Sequence, residues 1–499
     1  MTTMTWIDDH AQHRPDHPAI IEAESGRVRS YRELAERIAR AAAALLARGV
    51  EPGERVGIVG LNTVEYVEAL YACARIGAIA VPINYRLSVR EVAGLAADCS
   101  PVLVLADTEL AELSSALSGD GAVPIITWGD SPQWEELLAA HPPLATPPAA
   151  SPHDPWLIIY TSGTTGRPKG VVHSVATMTC DIENSGTASR IDADSTGLGF
   201  LAPFHVAGLN VHGNPLLRAG GTQVLMARFD ARRALELLAS PDFRFTHFSA
   251  PSAALQMMTA ITDFDFTTLP PIITTVGGSP IPEDLLTRWQ NHGWTMVPVY
   301  GATEAGSSVA SGIAQRGQAP GWVGPATAHT RLRVVDAAGT DCAPGELGEV
   351  WIGGESLMLR YWQQPAETDA ALVDGWYRTG DVGALDDAGE LRIVDRVKDM
   401  FISGAENVYP AEVESVLFEH PAVGVVAVVG VPDEKWGEVG MAFVVLKDGH
   451  EATAEELRTW CDGRLARYKI PAHFRFVPDL PRGGSGKVLK NELVAALRD

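Results

Sequence analysis

The chain has 499 residues, 46% apolar and 20% charged, a make-up that predicts a globular protein with more than one core and excludes a disordered or fibrous chain. Its formal net charge of −23 excludes a general nucleic-acid binder, because phosphate backbones are held by basic faces. Five scattered cysteines without C-x-x-C spacing exclude a disulfide framework and a zinc site, and read as reduced thiols of a cytoplasmic protein.

The N-terminus is polar and acidic from Asp8 onward, unlike a signal peptide, and no apolar run approaches the roughly 18 residues that span a bilayer. Ser30 and Glu33 make a capping box. Leu34, Ile38, Ala41 and Leu45 then share one helical face, and Gly49 supplies the stop. Residues 55–60 predict a strand, residues 63–76 a helix ended by Gly77, and residues 78–84 a second strand. Strand, helix and strand with short connections imply a parallel pair in a doubly wound sheet. Residues 144–155, rich in Pro and Ala, predict a loop before the apolar strand of residues 156–160. The texture changes after Arg396. A helix is predicted over 411–423, strands over 423–430 and 441–447, a helix from the capping box Thr453/Glu456 to residue 468, and a short strand over 473–477. The predicted architecture is an α/β body with doubly wound sheets, residues 1–396, followed by a small α+β domain, residues 397–499.

The densest chemistry follows the strand of residues 156–160. The segment YTSGTTGRPKG, residues 160–170, packs glycines, hydroxyls and one lysine into a single loop. Glycines let backbone N–H groups approach phosphate oxygens, hydroxyls donate further hydrogen bonds, and Lys169 adds charge. It is not a Walker A loop, because Pro168 stands where that pattern needs glycine.

This segment resembles the phosphate-binding loop of the adenylate-forming superfamily: acyl-CoA synthetases, peptide-synthetase adenylation domains and luciferases. Further motifs of that superfamily follow in order: PFHVAG (203–208), GGSP (277–280), YGATE (300–304), GELGEVWIGG, GWYRTGD (375–381), DRVKDMFISGAENVYP (395–410) and PRGGSGK (481–487). They cover nearly the whole chain and are most similar to those of fatty-acyl and aryl CoA ligases.

The resemblance implies an ATP-dependent acid–thiol ligase using Mg²⁺ and coenzyme A. A carboxylate attacks the α-phosphorus of ATP, and the acyl-adenylate then passes its acyl group to the CoA thiol. For the nucleotide it implies Thr161, Ser162, Gly163, Thr164, Thr165, Gly166 and Lys169 at the phosphates, with Gly278, Tyr300, Gly301, Ala302 and Thr303 around the adenine. Tyr300 would stack on the ring while Gly278 and Gly301 leave room for it. Asp381 would accept from the ribose hydroxyls with Arg396 nearby, and Glu304 with Thr165 would serve the magnesium ion, which prefers carboxylate oxygen. Lys487 would bridge the carboxylate and the α-phosphate, a cation offsetting repulsion between two anions.

By the same resemblance His205 is a gate to the acid pocket, and His212 is given a purely structural reading. The pocket is expected to include Ala207, Gly208, Asn210, Gly278, Gly301 and Gly306; their small side chains and the lack of arginine favour an apolar fatty or aromatic monoacid. Ser403, Gly404, Ala405 and Trp436 are implied for the CoA channel, and Lys398 as the hinge of a lid that swaps the two half-reactions. Ala405, Gly483 and Lys490 depart from the usual glycine, threonine and arginine. Homodimerisation is compatible with this reading. Three alternatives stand beside it: an adenylating enzyme with an amine or carrier-protein thiol as acceptor, activation of an inorganic acid such as nitrite toward an aromatic amine, and a non-catalytic nucleotide sensor.

Overall fold

The computed structural model describes residues 5–119, 121–161, 168–278, 281–318, 321–396, 399–403, 406–433, 436–462, 464–465, 467–483 and 487–497. The chain divides into two compact units, residues 1–332 with 352–377, and residues 333–351 with 378–499.

The first unit opens as its sequence predicts. Ser30 caps the helix Tyr31–Ala47 with both halves of its box formed, and Leu34, Ile38, Ala41 and Leu45 are buried along one face. The strand Arg55–Val59 runs parallel to Ile79–Pro82. The helix Val64–Ile76 connects them and stops at Gly77, whose φ of +73° is left-handed. These strands belong to a seven-stranded sheet ordered Arg360–Tyr361, Lys169–Ser174, Pro155–Thr161, Ile79–Pro82, Arg55–Val59, Leu103–Asp107, Ile125–Trp128. Val56, Ile58, Leu103 and Leu105 are buried in its middle, as expected of a parallel sheet covered on both faces.

A second, eight-stranded sheet is ordered Gly306–Ser311, Thr295–Ala302, Ile273–Gly277, His247–Pro251, Thr196–Gly199, Thr222–Leu225, Pro18–Glu22, Val28–Ser30. Its interior pairs are parallel and its two outermost pairs antiparallel. Thr161, Gly277 and Tyr300 all stand at the carboxyl ends of their strands, the end at which doubly wound sheets bind ligands.

In the second unit, residues 378–385 and 391–396 run antiparallel. A long hairpin pairs Val423–Asp433 with Gly437–Leu446, and His473–Phe476 joins it in parallel. Val413 and Leu417 of the helix Pro410–Phe418, with Leu457 and Cys461 of the helix Ala454–Cys461, pack on Val428 and Val444 of the sheet. The large α/β unit and the smaller α+β unit expected from the sequence are both present. Residues 333–351 and 378–396 cluster with the second unit and not with the body to which the sequence assigned them. Two helices also end early, the one predicted over 411–423 at Phe418. The helix predicted to reach residue 468 ends at Cys461, and Asp462 is extended (φ −64°, ψ 131°). The Asp-Gly pair at 462–463 breaks a pattern whose apolar spacing alone continues. Among the described residues, no helix is long and apolar enough to cross a membrane.

Candidate active site

The segment expected at the phosphates lies between two paired strands. Pro155–Thr161 pairs antiparallel with Lys169–Ser174, setting Thr161 opposite Lys169. Ser162, Gly163, Thr164, Thr165 and Gly166 lie outside the described residues. Lys169 forms an ion pair with Glu367, and its ammonium stands 5.0 Å from the centre of the Tyr361 ring. Gly170 lies close against the paired strand, where an added Cβ would stand 2.8 Å from the Ile158 side chain.

Opposing strands turn back on each other at residues 302–306, and this connection is held by side chains from far along the chain. His173 Nε2–H donates to the Thr303 carbonyl at 2.7 Å. The Met358 N–H donates to the Glu304 carbonyl at 2.8 Å, and the Ser356 hydroxyl to the Ala305 carbonyl at 2.7 Å. The Asp181 carboxylate accepts the Ser307 and Ser308 N–H groups at 2.8 and 3.3 Å. Tyr361 donates its hydroxyl to Glu304 Oε1 at 2.8 Å. Burial pushes the His173 pKa down to about 4, so the ring is neutral and its Nδ1 accepts from the Thr177 hydroxyl. Burial pushes Asp181 up, against the donors Asn210 and Ser307 that favour its charged form.

Within this frame Glu304 is buried, and the donor on its Oε1 is a neutral hydroxyl and not a competing side-chain cation. A hard divalent ion such as Mg²⁺ fits that donor. Tyr300 is half-buried on the same strand, close to the turn. Gly278 has a φ of +84° and nothing within 4 Å of an added Cβ, so a flat ring has room against its backbone. Gly301 has a different reason for being glycine. An added Cβ would meet the Gly306 carbonyl at 2.4 Å and the Ser307 carbonyl at 2.5 Å, so its absence is what lets the two strands close. Gly306 itself has a φ of +107° and sits against Asp181. The expectation that Gly301 and Gly306 are small to make room for the acid is therefore revised: both are demanded by the backbone.

His205 precedes the short helix Val206–Asn210, half-buried, with its ring 4.4 Å from that of Phe204. Ala207 and Gly208 are also half-buried. An added Cβ at Gly208 would lie 2.0 Å from the Ala202 carbonyl oxygen, so its smallness again serves backbone packing. Asn210 is fully buried; its Nδ2 donates to Asp181 at 2.7 Å and its Oδ1 accepts from Asn214 at 2.8 Å. The amide expected in the acid pocket thus joins the helix, through Asp181, to the 302–306 turn. His212 is buried and bonds Thr275 Oγ1 at 2.9 Å, in line with its structural reading.

In the second unit Asp381 is half-buried, pairs with Arg396 across the strands, and has its N–H fixed by Thr379 Oγ1 at 2.9 Å. Lys398, Gly404 and Ala405 lie outside the described residues. Ser403 is buried, and Trp436 is exposed with its N–H bonded to Asp433. Lys487 is exposed, and its carbonyl accepts from the Gly483 N–H at 2.8 Å. Sequence reasoning missed His173, Asp181 and Tyr361. A buried histidine before a helix cap, an aspartate inside a helix and a tyrosine in a two-residue edge strand have no local signature; only the fold sets them around residues 302–306.

The comparisons agree with the motifs. Residues 7–362 match the model of the AMP-binding enzyme family, and residues 412–487 match that of the AMP-binding enzyme C-terminal domain. The chain is similar to an indoleacetate–CoA ligase of Aromatoleum aromaticum, with 38% identity covering 99% of this chain and 98% of the relative. It is 36% identical to a fatty acid–[acyl-carrier-protein] ligase of Streptomyces coeruleorubidus, over 97% of this chain and 94% of that one. Among solved structures, the o-succinylbenzoate–CoA synthetase of Bacillus subtilis in complex with its acyl-adenylate intermediate superposes with a TM-score of 0.87, at 31% identity over 99% of this chain and 98% of that one. The chain belongs to the AMP-binding enzyme family and is an AMP-forming acid–thiol ligase.

Proposed function

We propose that the protein joins an apolar monocarboxylic acid, fatty or aromatic, to coenzyme A through an acyl-adenylate. The observation that carries this reading is the fixed turn at 302–306. It holds Glu304 buried next to the carboxyl ends of the strands, with Tyr300 and the open backbone of Gly278 close by in sequence to the same strand ends. A charge presented by groups that need not reorganise is worth most where charge redistributes in the reaction. Glu304 would hold the magnesium ion, which neutralises phosphate charge when bound. Lys169 and the loop after Thr161 serve the phosphates, Asp381 and Arg396 the ribose, and Lys487 the attack on the α-phosphorus. Lys398 is the hinge, and Ser403, Gly404, Ala405 and Trp436 face the pantetheine arm and the CoA adenine.

The acid is assigned from residues 203–212, which contain no lysine or arginine for a second carboxylate. The relatives named for indoleacetate and for a fatty acid point the same way. A carrier-protein thiol is the second reading of the acceptor, favoured by the relative named as an acyl-carrier-protein ligase. A panel of fatty, aromatic and dicarboxylic acids, scored for pyrophosphate release and for acyl product with CoA or a phosphopantetheinylated carrier protein, tests both. The first reading expects acyl-CoA from apolar monoacids. Acyl transfer to the carrier protein alone supports the second, and preference for a diacid overturns the pocket assignment.

A further inference from the structure

Three chemically different side chains, none of them given a role in the ligase chemistry above, converge in the first unit. Cys180 lies on the helix Val175–Ala188, His329 in the turn before the strand Thr330–Val335, and Glu355 just past the strand Gly348–Gly354. One ligand atom of each, the thiol sulfur, a ring nitrogen and a carboxylate oxygen, lies within 4.8 Å of the other two. From Cys180, Glu183 is one turn further along the same helix, and its carboxylate accepts from His329 Nε2 at 2.8 Å. The other ring nitrogen, Nδ1, is 2.8 Å from Glu355.

The backbone under these groups is held in place. The His329 N–H donates to Asn184 Oδ1 at 2.9 Å, and the Glu355 N–H donates to the His329 carbonyl at 3.2 Å. Gly354, with a φ of +139°, allows that approach, since an added Cβ would lie 2.1 Å from the His329 carbonyl oxygen. Arg218 pairs with Glu183 and fixes the carboxylate that orients the ring.

We propose that Cys180, His329 and Glu355 form a binding site for a zinc ion, with water as fourth ligand and Glu183 orienting the imidazole. Thiolate, imidazole and carboxylate together suit zinc and exclude magnesium and calcium, which take oxygen ligands. Zinc bonds of about 2.0–2.3 Å place tetrahedral ligand atoms roughly 3.4–3.7 Å apart, so side-chain torsions of about an ångström complete the site. Glu183 on the far ring nitrogen makes the carboxylate–histidine–metal arrangement that fixes tautomer and ring direction. Binding releases the Cys180 thiol proton to solvent, and any proton on the metal-facing ring nitrogen goes with it. The three ligands come from distant parts of the chain, so the exclusion of a zinc site drawn from cysteine spacing, which reaches only local cysteine pairs, does not extend to them. Ser356, next to Glu355, bonds the Ala305 carbonyl. An occupied site therefore ties the helix to the segment that clamps the 302–306 turn.

The test is titration of the metal-free full-length protein with Co²⁺, a spectroscopic stand-in for zinc, in the absence of ATP. One saturable equivalent with a near-ultraviolet thiolate-to-cobalt band, displaced by Zn²⁺, is expected. The band is lost in Cys180→Ala and in Cys180→Ser, affinity falls at least about tenfold in His329→Asn, and Glu183→Gln costs about 10- to 100-fold. Zn²⁺ should also raise the melting temperature of the wild type and not of Cys180→Ser. No saturable band, or a band that survives in folded Cys180→Ser, overturns the site and leaves His329 as an ion-paired imidazole between two carboxylates.

Discussion

Tyr361 donates its hydroxyl to the buried carboxylate of Glu304 and lies beneath the Lys169 ammonium. Tyr361→Phe removes one donor and leaves the packing. Stranding a buried carboxylate oxygen costs about 1–3 kcal/mol, so kcat/KM for Mg·ATP should fall about 5- to 160-fold while KM for the acid stays put. Steady-state pyrophosphate release at varied Mg·ATP reads this directly, and an unchanged kcat/KM would remove Tyr361 from the site. His173 makes a prediction about acid. Its native pKa, about 4, is below the unfolded value of 6.5, so between these the unfolded state binds a proton that the native state refuses. Stability is therefore full above about pH 6.5 and declines as pH falls toward 4, by on the order of 3 kcal/mol. Urea midpoints across that range should slope less in His173→Gln than in the wild type. Equal slopes would mean that the ring is not held neutral. Burial lowers His212 and His247 in the same direction, so the variant keeps part of the slope.

At the scale of elements, capping chemistry was the most legible signal. Ser30 with Glu33, and Thr453 with Glu456, begin helices where the sequence places them, because a cap is a contact between residues three apart. The strand–helix–strand unit through Gly77 was equally readable, its signals being local. The frame of the 302–306 turn was not. Asp181 reaches Ser307 across 126 positions and His173 reaches Thr303 across 130, and no periodicity encodes such meetings. At Gly208 the fold supplies a reason for glycine that the sequence does not show. Its size looked like room for a substrate, but its Cα faces the backbone of Ala202. Gly208→Ala must therefore move the helix Val206–Asn210, because a carbonyl oxygen at 2.0 Å cannot turn aside like a side chain. A loss of about 1–3 kcal/mol in unfolding free energy is expected, with activity falling on short and long acids alike. Loss confined to bulky acids would return Gly208 to the pocket wall.

For the whole molecule, a net charge of −23 opposes three anionic substrates, so catalysis rests on a few local cations. Lys487 is proposed as the one that acts in adenylation. Lys487→Ala should slow adenylate formation by about 10²- to 10³-fold, the usual loss for one such contact, and leave thioester formation from supplied acyl-adenylate nearly intact. Single-turnover assays of each half-reaction separate these, and equal loss in both would reject the division of labour. In the proposed reaction the acid's own carboxylate oxygen attacks the α-phosphorus of ATP. A preferred monoacid labelled in both carboxylate oxygens with oxygen-18, turned over with ATP and CoA, tests it by mass spectrometry of the nucleotide. The bridging oxygen leaves with AMP when the thiol attacks the carbonyl, so AMP should carry one oxygen-18 for each acyl-CoA formed. Unlabelled AMP, or label in ADP or inorganic phosphate, would contradict it.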